Sequence, residues 1–399
     1  MKRPTLLAPA GNMIALQAAI DAGADEIYFG VQGLNMRAGA KNFSVDDMPE
    51  IVRRCKEKGV RPLLTLNVIT YEHEHETVVS ILDAAQQAGI DTVIAWDMGV
   101  IAEASQRNMH IHLSTQASVS NAAAVLHYAS HIPTLERVVL ARECSLEDVQ
   151  RIAKKVAPIE IETFVHGAMC ISVSGRCFMS QDLFGKSANR GECVQPCRRE
   201  YEIYDKEEQH SLVLGDEYIM SPKDLCVLPF IEKLLNAEIA CFKIEGRNRS
   251  PEYVKTVVHA YRQVIDAYGT LEFEQVKADA LQQVKKVYNR GFSSGFYMGK
   301  PLDAWCKSYG SQATQTKQLV GKVCNYFAQK GVGEIVIQSH EFSIGDILLI
   351  MGKTTGVVEA QVTSIRHNEP IEKAKQGMQV TVPLPTVRKG DTVYVVLNR

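Results

Sequence analysis

Short apolar runs alternate with amphipathic stretches along the first two-thirds of the chain. The runs at 5–8, 26–30, 62–68, 92–96, 110–115, 137–140, 159–165 and 240–245 are short, and each is read as a buried strand. Between them, 12–22, 45–58, 77–88, 98–107, 119–130, 145–156 and 227–236 place apolar residues at helical spacing, and a further helix over 250–268 follows the last strand. Ser44 with Asp47, and Ser145 with Asp148, read as capping boxes in which Asp replaces the usual Glu. The unit A-G-A-D-E-I-Y-F-G (22–30) is echoed at 88–97 and more weakly at 237–246, so a helix-end-to-strand unit repeats.

Strands that alternate with helices predict a parallel sheet, because parallel neighbours are joined only by crossovers. Eight such units predict a closed (β/α)8 TIM-like barrel. An open doubly wound sheet is the rival, but no G-x-G-x-x-G follows the first strand to support it. The helical texture stops near residue 310, and S-Y-G-S-Q-A-T-Q-T-K (308–317) reads as a linker. Beyond it, short β runs separated by glycine turns predict a small β-barrel of about six strands. The expected domains are therefore a (β/α)8-type catalytic domain over 1–310 and a C-terminal β-barrel over 311–399. A cysteine-rich insert at about 167–225 follows the seventh strand.

That insert changes the picture from fold to chemistry. Four of the ten cysteines fall in it, Cys170, Cys177, Cys193 and Cys197, spaced C-x6-C-x15-C-x3-C among glycines and Pro196. No apolar run of about twenty residues predicts a membrane span, and the first nine residues do not read as a signal peptide. A cytoplasmic protein is expected, where cysteines are thiols or metal ligands. Cysteines gathered in irregular backbone suit a thiolate-ligated centre, since each sulfur is aimed by its own turn. Zinc favours paired C-x2-4-C knuckles, and only Cys193 and Cys197 resemble one, so an iron–sulfur cluster is preferred with zinc at the same cysteines as the alternative. Cys226 is a substitute ligand or a packed thiol, and Cys55, Cys144, Cys241 and Cys324 read as packing residues. The net charge of −2 excludes a generally basic nucleic-acid coat but not the local basic patch of the insert, with Arg176, Lys186, Arg190, Arg198 and Arg199.

A barrel carries its active site at the C-terminal ends of its strands. Those ends hold Asn67, Asp97, Ser114, Gln116, Arg142, Glu143, Glu162, His166, Lys243, Glu245 and Arg247. Asn67, Gln116, Lys243 and Arg247 are the candidates for holding substrate; Glu162, His166 and Glu245 are the candidates for moving protons. Glu162 lies inside an apolar strand, so it is either half of a structural ion pair or a site residue. His166 is likewise either a structural histidine or a mouth residue. His73 and His75 read as surface. There is no H-E-x-x-H and no convincing nucleophile elbow.

The stretch E-T-F-V-H-G-A-M-C-I-S-V-S-G-R-C-F-M-S strongly resembles the signature of the collagenase-like peptidase family U-32. So do L-L-A-P-A-G-N (6–12), H-L-S-T-Q-A-S-V-S-N (112–121), S-P-K-D-L (221–225) and F-K-I-E-G-R (242–247). The resemblance covers essentially the whole chain, and the β-rich tail looks like the family's translation-factor-type barrel. Members bear protease names, yet the better understood relatives are iron–sulfur hydroxylation proteins. Some convert wobble uridine of tRNA to 5-hydroxyuridine in a prephenate-dependent way; others act on ribosomal RNA or in ubiquinone synthesis. The cysteine arrangement is similar to that of the tRNA branch. The resemblance thus implies a [4Fe-4S] cluster on Cys170, Cys177, Cys193 and Cys197, and prephenate held by cations such as Arg37, Lys243 or Arg247. It also implies a tRNA anticodon loop, its target base unstacked, as partner. Hydroxylation of rRNA is an alternative within the family. A peptidase is the alternative in another class, and would need an activated nucleophile or a hydrolytic metal that the sequence does not offer persuasively.

Overall fold

The computed structural model describes residues 3–37, 42–199, 201–204, 206–207, 209, 211–213, 218–299, 304–306 and 310–399. The apolar runs form β1 (Thr5–Ala10), β2 (Glu26–Phe29), β3 (Arg61–Leu66), β4 (Thr92–Ala95), β5 (His110–Leu113), β6 (Leu135–Val139) and β7 (Glu160–Gly167), each parallel to the next. A short strand, β8 (Asp224–Cys226), precedes β9 (Cys241–Ile244), which pairs in parallel with both β7 and β1. The parallel barrel is therefore closed, with eight strands, as the eight apolar runs predict.

The period of two separates the two faces of this wall. Leu7, Tyr28, Leu63, Ile94 and Cys241 form an inner cluster, while alternate residues such as Leu6, Ile27, Leu64, Val93 and Phe242 pack outward in the main core. That outer core is completed by α1 (Met13–Asp21), α2 (Met48–Glu57), α3 (His75–Ala88), α4 (Met98–Gln106), α5 (Ala122–His131) and α6 (Leu146–Lys155). Asn12 starts α1 by accepting from the amides of Ile14 and Ala15, both at 3.0 Å, satisfying two donors that the first turn leaves free. The Ser44–Asp47 box forms, but around a 3-10 turn that precedes α2. At α6 the Asp148 amide donates to the Ser145 hydroxyl at 3.2 Å, while the Asp148 carboxylate accepts the hydroxyl's own proton at 2.6 Å.

Three local expectations shift. The helix expected over 119–130 begins at Ala122, because Thr115–Ala117 forms a tight turn closed by Ser118 in the left-handed region. The helix expected over 227–236 is a 3-10 turn followed by α8 (Ile231–Leu235), after the short insert helix α7 (Met179–Phe184). The insert also returns as structure: β6 leaves β7 at Glu162, and β8 takes over its edge, antiparallel, at His166 and Gly167. Cys226 lies buried in β8, not at the start of a helix.

After β9 come α9 (Pro251–Ala267), α10 (Phe273–Lys286) and β10 (Phe292–Ser293), which pairs with β8. In the expected linker, Ser308 and Tyr309 lie outside the described residues. The next strand, β11, spans Gln315–Phe327. With β12 (Val332–Ile337), β13 (Ile347–Gly352), β14 (Gly356–Gln361), β15 (Gln379–Pro383), β16 (Thr392–Asn398) and two three-residue strands, it forms an eight-stranded antiparallel sheet with its own apolar core. The end strands of this sheet, β14 and Glu369–Ile371, are not paired to each other. The sheet docks on the barrel through Leu349, Met351 and Val357 against Ala18 of α1. Lys317 reaches Glu252 at 2.6 Å, and Lys255 donates to the Val357 carbonyl at 2.7 Å. No helix among the described residues is long and apolar enough to cross a membrane.

Candidate active site

A cavity of about 170 Å³ lies at the C-terminal ends of the barrel strands, roofed by the insert. Its wall carries five cations, Arg37, Arg142, Arg198, Lys243 and Arg247, and one carboxylate, Glu245. Each cation is held differently. Arg37 pairs with Glu245 at 2.7 Å, and Lys243 pairs with Glu162 at 2.7 Å while lying over the Tyr28 ring. Among the described residues Arg247 is hydrogen-bonded by neutral oxygens alone, Asn35 Oδ1 at 3.0 Å and Thr65 Oγ1 at 2.8 Å. Burial pulls its pKa down to about 10, so it stays charged at neutral pH. Arg142 stacks over Phe164 at 3.9 Å and donates to the Ala168 carbonyl at 2.5 Å. The Nε atoms of Arg142 and Arg198 are buried without a hydrogen-bond partner.

Burial alone would raise the Glu245 carboxyl; the charges of Arg37, Arg249 and Arg142 outweigh it and hold the group at about 2. Glu245 is therefore ionised at neutral pH and serves as the counter-ion of Arg37. Polar groups complete the floor. Asn67 accepts from the Met36 amide at 3.2 Å and approaches Ser114 Oγ at 3.5 Å, and the Ser114 hydroxyl donates to Gln116 Oε1.

Cys170, Cys177, Cys193 and Cys197 all face this cavity, and all four are free thiols. Glycine and proline turns aim them. Gly175 is left-handed beside Gln116, and Pro196 starts the turn that carries Cys197. The Cys177 amide is fixed by Asn189 Oδ1 at 3.2 Å. Arg190 pins the insert to the loop after β3 through the Ile69 carbonyl and the Glu74 carboxylate. Among the described residues no three His, Cys, Asp or Glu side chains converge on a point where one ion would sit. Four thiols around one cavity fit a thiolate-ligated centre, an iron–sulfur cluster or zinc at the same cysteines. The two unpartnered guanidinium N–H groups on the same wall are a second element of fit, since an anionic thiolate cluster would accept from them.

The eight expected residues besides the cysteines do not all meet here. Arg37, Asn67, Gln116, Lys243, Glu245 and Arg247 line the cavity, but Glu162 and His166 do not. Glu162 sits one layer below, 0% exposed, between Lys243 and Arg137 (3.3 Å). Burial would raise its carboxyl, but Lys243, Arg137 and His112 hold it at about 2. Of its two expected readings the structure shows the ion pair, extended into a network because Arg137 also binds Glu26 at 2.5 Å and Glu160 at 2.7 Å. His166 is displaced by a register shift: β9 pairs Lys243 with Phe164 but Ile244 with His166. The skipped residue turns the imidazole to the outer face, where it packs on Tyr253 and Tyr261 of α9 and on Phe292, and burial lowers its pKa to about 4. Asp97 is taken up by the amides of Gly99 (3.0 Å) and Thr70 (3.2 Å). The sequence reading gave no role to Tyr28 and placed Arg198 only in the basic patch of the insert. Tyr28 was legible in principle, because it shares with Glu26 the inward parity of β2.

The fold and the site define a class: a closed parallel barrel whose mouth is a cationic, cysteine-lined cavity under an insert. The sequence profile of Peptidase family U32 matches residues 11–307, and the chain belongs to that family. It is 42% identical to a protein of Porphyromonas gingivalis named Collagenase, over 98% of this chain and 97% of that one. It is 38% identical to tRNA hydroxylation protein P1 of Bacillus subtilis, over 82% and 78%. It is 34% identical to a 23S rRNA 5-hydroxycytidine synthase of Escherichia coli, over 75% of this chain and 46% of that one. Relatives of this chain thus bear the names of RNA hydroxylation proteins and of a collagenase, and an enzyme is the coarse conclusion.

Proposed function

We propose that this chain is an iron–sulfur RNA hydroxylase that acts on wobble uridine in tRNA and uses prephenate as co-substrate. The observation that carries the reading is the charge of the cavity: five cations, Lys243 and Arg247 among them buried, and one carboxylate beside four free thiols. Buried charges are costly unless compensated, so this wall calls for anions. Cys170, Cys177, Cys193 and Cys197 would hold a [4Fe-4S] cluster as thiolates. When bound, the cluster supplies electron transfer beside the substrate.

The chain's own residues do the rest. Arg247 and Arg142 have no carboxylate within ion-pair distance among the described residues, so they receive the carboxylates of a dianion such as prephenate. Glu245 keeps Arg37 in place and, ionised at neutral pH, does not act as a general acid there. Lys243, paired with Glu162, lies over the Tyr28 ring at the floor. The insert lines the mouth, and an unstacked base is what reaches the strand ends below it.

The name of the 42% identical relative favours a second reading, a peptidase. The described cavity wall holds no histidine, and Ser114 is bonded to an amide oxygen rather than to a base. A serine activated as in hydrolases is therefore not assembled. Mass spectrometry of tRNA nucleosides from a strain lacking this chain decides between them. Loss of 5-hydroxyuridine derivatives, restored by the wild-type gene, is the expected result; an unchanged nucleoside profile would sink the tRNA reading.

A further inference from the structure

The four cysteines sit in two turns, one with Cys170 and Cys177 and one with Cys193 and Cys197, and a single side chain ties them together. Arg198 follows Cys197 directly in the chain. Its Nη2 donates to the carbonyl of Met169, the residue directly before Cys170, at 2.5 Å. Its Nη1 donates to Ser221 Oγ and the Pro222 carbonyl, both at 3.2 Å. The guanidinium thus joins the Cys170 turn, the Cys197 turn and the chain returning toward β8, three segments that share no backbone pairing with one another. Its remaining N–H, at Nε, is buried without a partner, and the side chain lines the cavity that the four thiols face.

A lysine would not satisfy this geometry, because it offers one charge centre in place of a fixed planar fork. An aliphatic side chain would release the Met169 and Pro222 carbonyls, while Ser221 Oγ would keep only its contact with Cys306 Sγ. The acidic partner nearest in the fold is already engaged: Asp224 pairs with Arg290 at 2.6 Å. No carboxylate of the described residues lies within ion-pair distance of Arg198, so its charge is compensated by what the cavity binds.

We propose that Arg198 is a positioning residue of the cysteine centre: it fixes the spacing between Cys170 and Cys197 and donates its unpartnered N–H to the anionic group they hold. The inference rests on the cluster reading and goes beyond it. Outer donors of this kind change metal affinity by roughly 10–100-fold and tune the potential of the centre. An adjacent cation stabilises the reduced, more negative state, so its removal makes the midpoint potential more negative.

The test compares wild-type, Arg198→Lys and Arg198→Met proteins, purified and reconstituted without oxygen. Iron and labile sulfide are counted, the rate of iron loss to a chelator is followed, and the midpoint potential of the loaded fraction is measured. Near-ultraviolet circular dichroism of the metal-free proteins checks that the fold persists. The expected result is iron loss accelerated roughly 10–100-fold in Arg198→Met, with a more negative potential. Arg198→Lys should keep a potential near wild type, since the charge remains, but lose iron faster, since the fork is gone. Wild-type protein that binds four irons beside variants with unchanged potential and unchanged iron loss would overturn the role of Arg198 alone. Wild-type protein that takes up no iron would overturn the cluster reading and this inference with it.

Discussion

Arg247 shows at the scale of one residue how the cavity is prepared. Its Nη1 is spent on Asn35 and Thr65, two neutral acceptors, so the guanidinium is oriented without being neutralised. Replacing it with Met should raise KM for an anionic co-substrate by roughly 10–100-fold, the loss expected for a charge-assisted bond, with a smaller effect on kcat. An unchanged KM in steady-state assays would remove Arg247 from the binding site. Glu245 supports a pH prediction. Its folded pKa, about 2, is depressed below the usual carboxylate range by Arg37, Arg249 and Arg142 against the opposing effect of burial. A depressed carboxyl contributes stability that is present above its unfolded pKa and is lost as pH falls through the folded value. The wild type should therefore lose stability between about pH 4.5 and pH 2. Glu245→Gln should lose less over that window in denaturant titrations at successive pH values.

At the scale of elements, the barrel interior below the cavity is held by charges rather than by a uniform apolar filling. Arg137 on β6 meets Glu26 on β2 and Glu160 and Glu162 on β7, so one guanidinium crosses the barrel. Arg137→Met should destabilise by about 3–5 kcal/mol, because it leaves buried carboxylates unpaired. Arg151→Ala, which breaks an exposed pair with Glu147, should change stability by less than about 1 kcal/mol. Equal midpoints for the two variants in urea titrations would refute the network's role. The insert is held in a different way, by the clamp of Arg190 on Glu74 and Ile69. Arg190→Ala should speed limited proteolysis within the insert and leave barrel cleavage unchanged.

The same scale shows what could be read in advance. Strands buried on both faces announce themselves as apolar runs, so all eight barrel strands and the order of the helices were legible. The position of His166 was not, because a one-residue register shift between β7 and β9 leaves no trace in local composition. Glu162 was read as either an ion-paired carboxylate or a site residue. The choice depended on Arg137, which lies 25 positions away in sequence. Arg198 was visible only as part of a basic cluster. Its hydrogen bonds to Met169 and Pro222 depend on the path of an irregular loop that periodicity does not describe.

For the whole molecule, the C-terminal sheet is fastened to the barrel at α1 and α9, away from the cysteine cavity. Gly356 lies at this interface. It is left-handed, with φ +66°, and a Cβ there would come within 2.9 Å of Asp21 Oδ2. Gly356→Val should loosen the docking and split thermal unfolding into two transitions, whereas a single unchanged transition in calorimetry would show that the interface carries no coupling. The account nevertheless depends most on the cavity itself, where four thiols and five cations face one space. The most direct measurement is iron and acid-labile sulfide on protein purified without oxygen, beside Cys170→Ala. The account predicts about four of each per wild-type chain and their loss in the variant. Zinc in place of iron, or no metal after reconstitution, would contradict it.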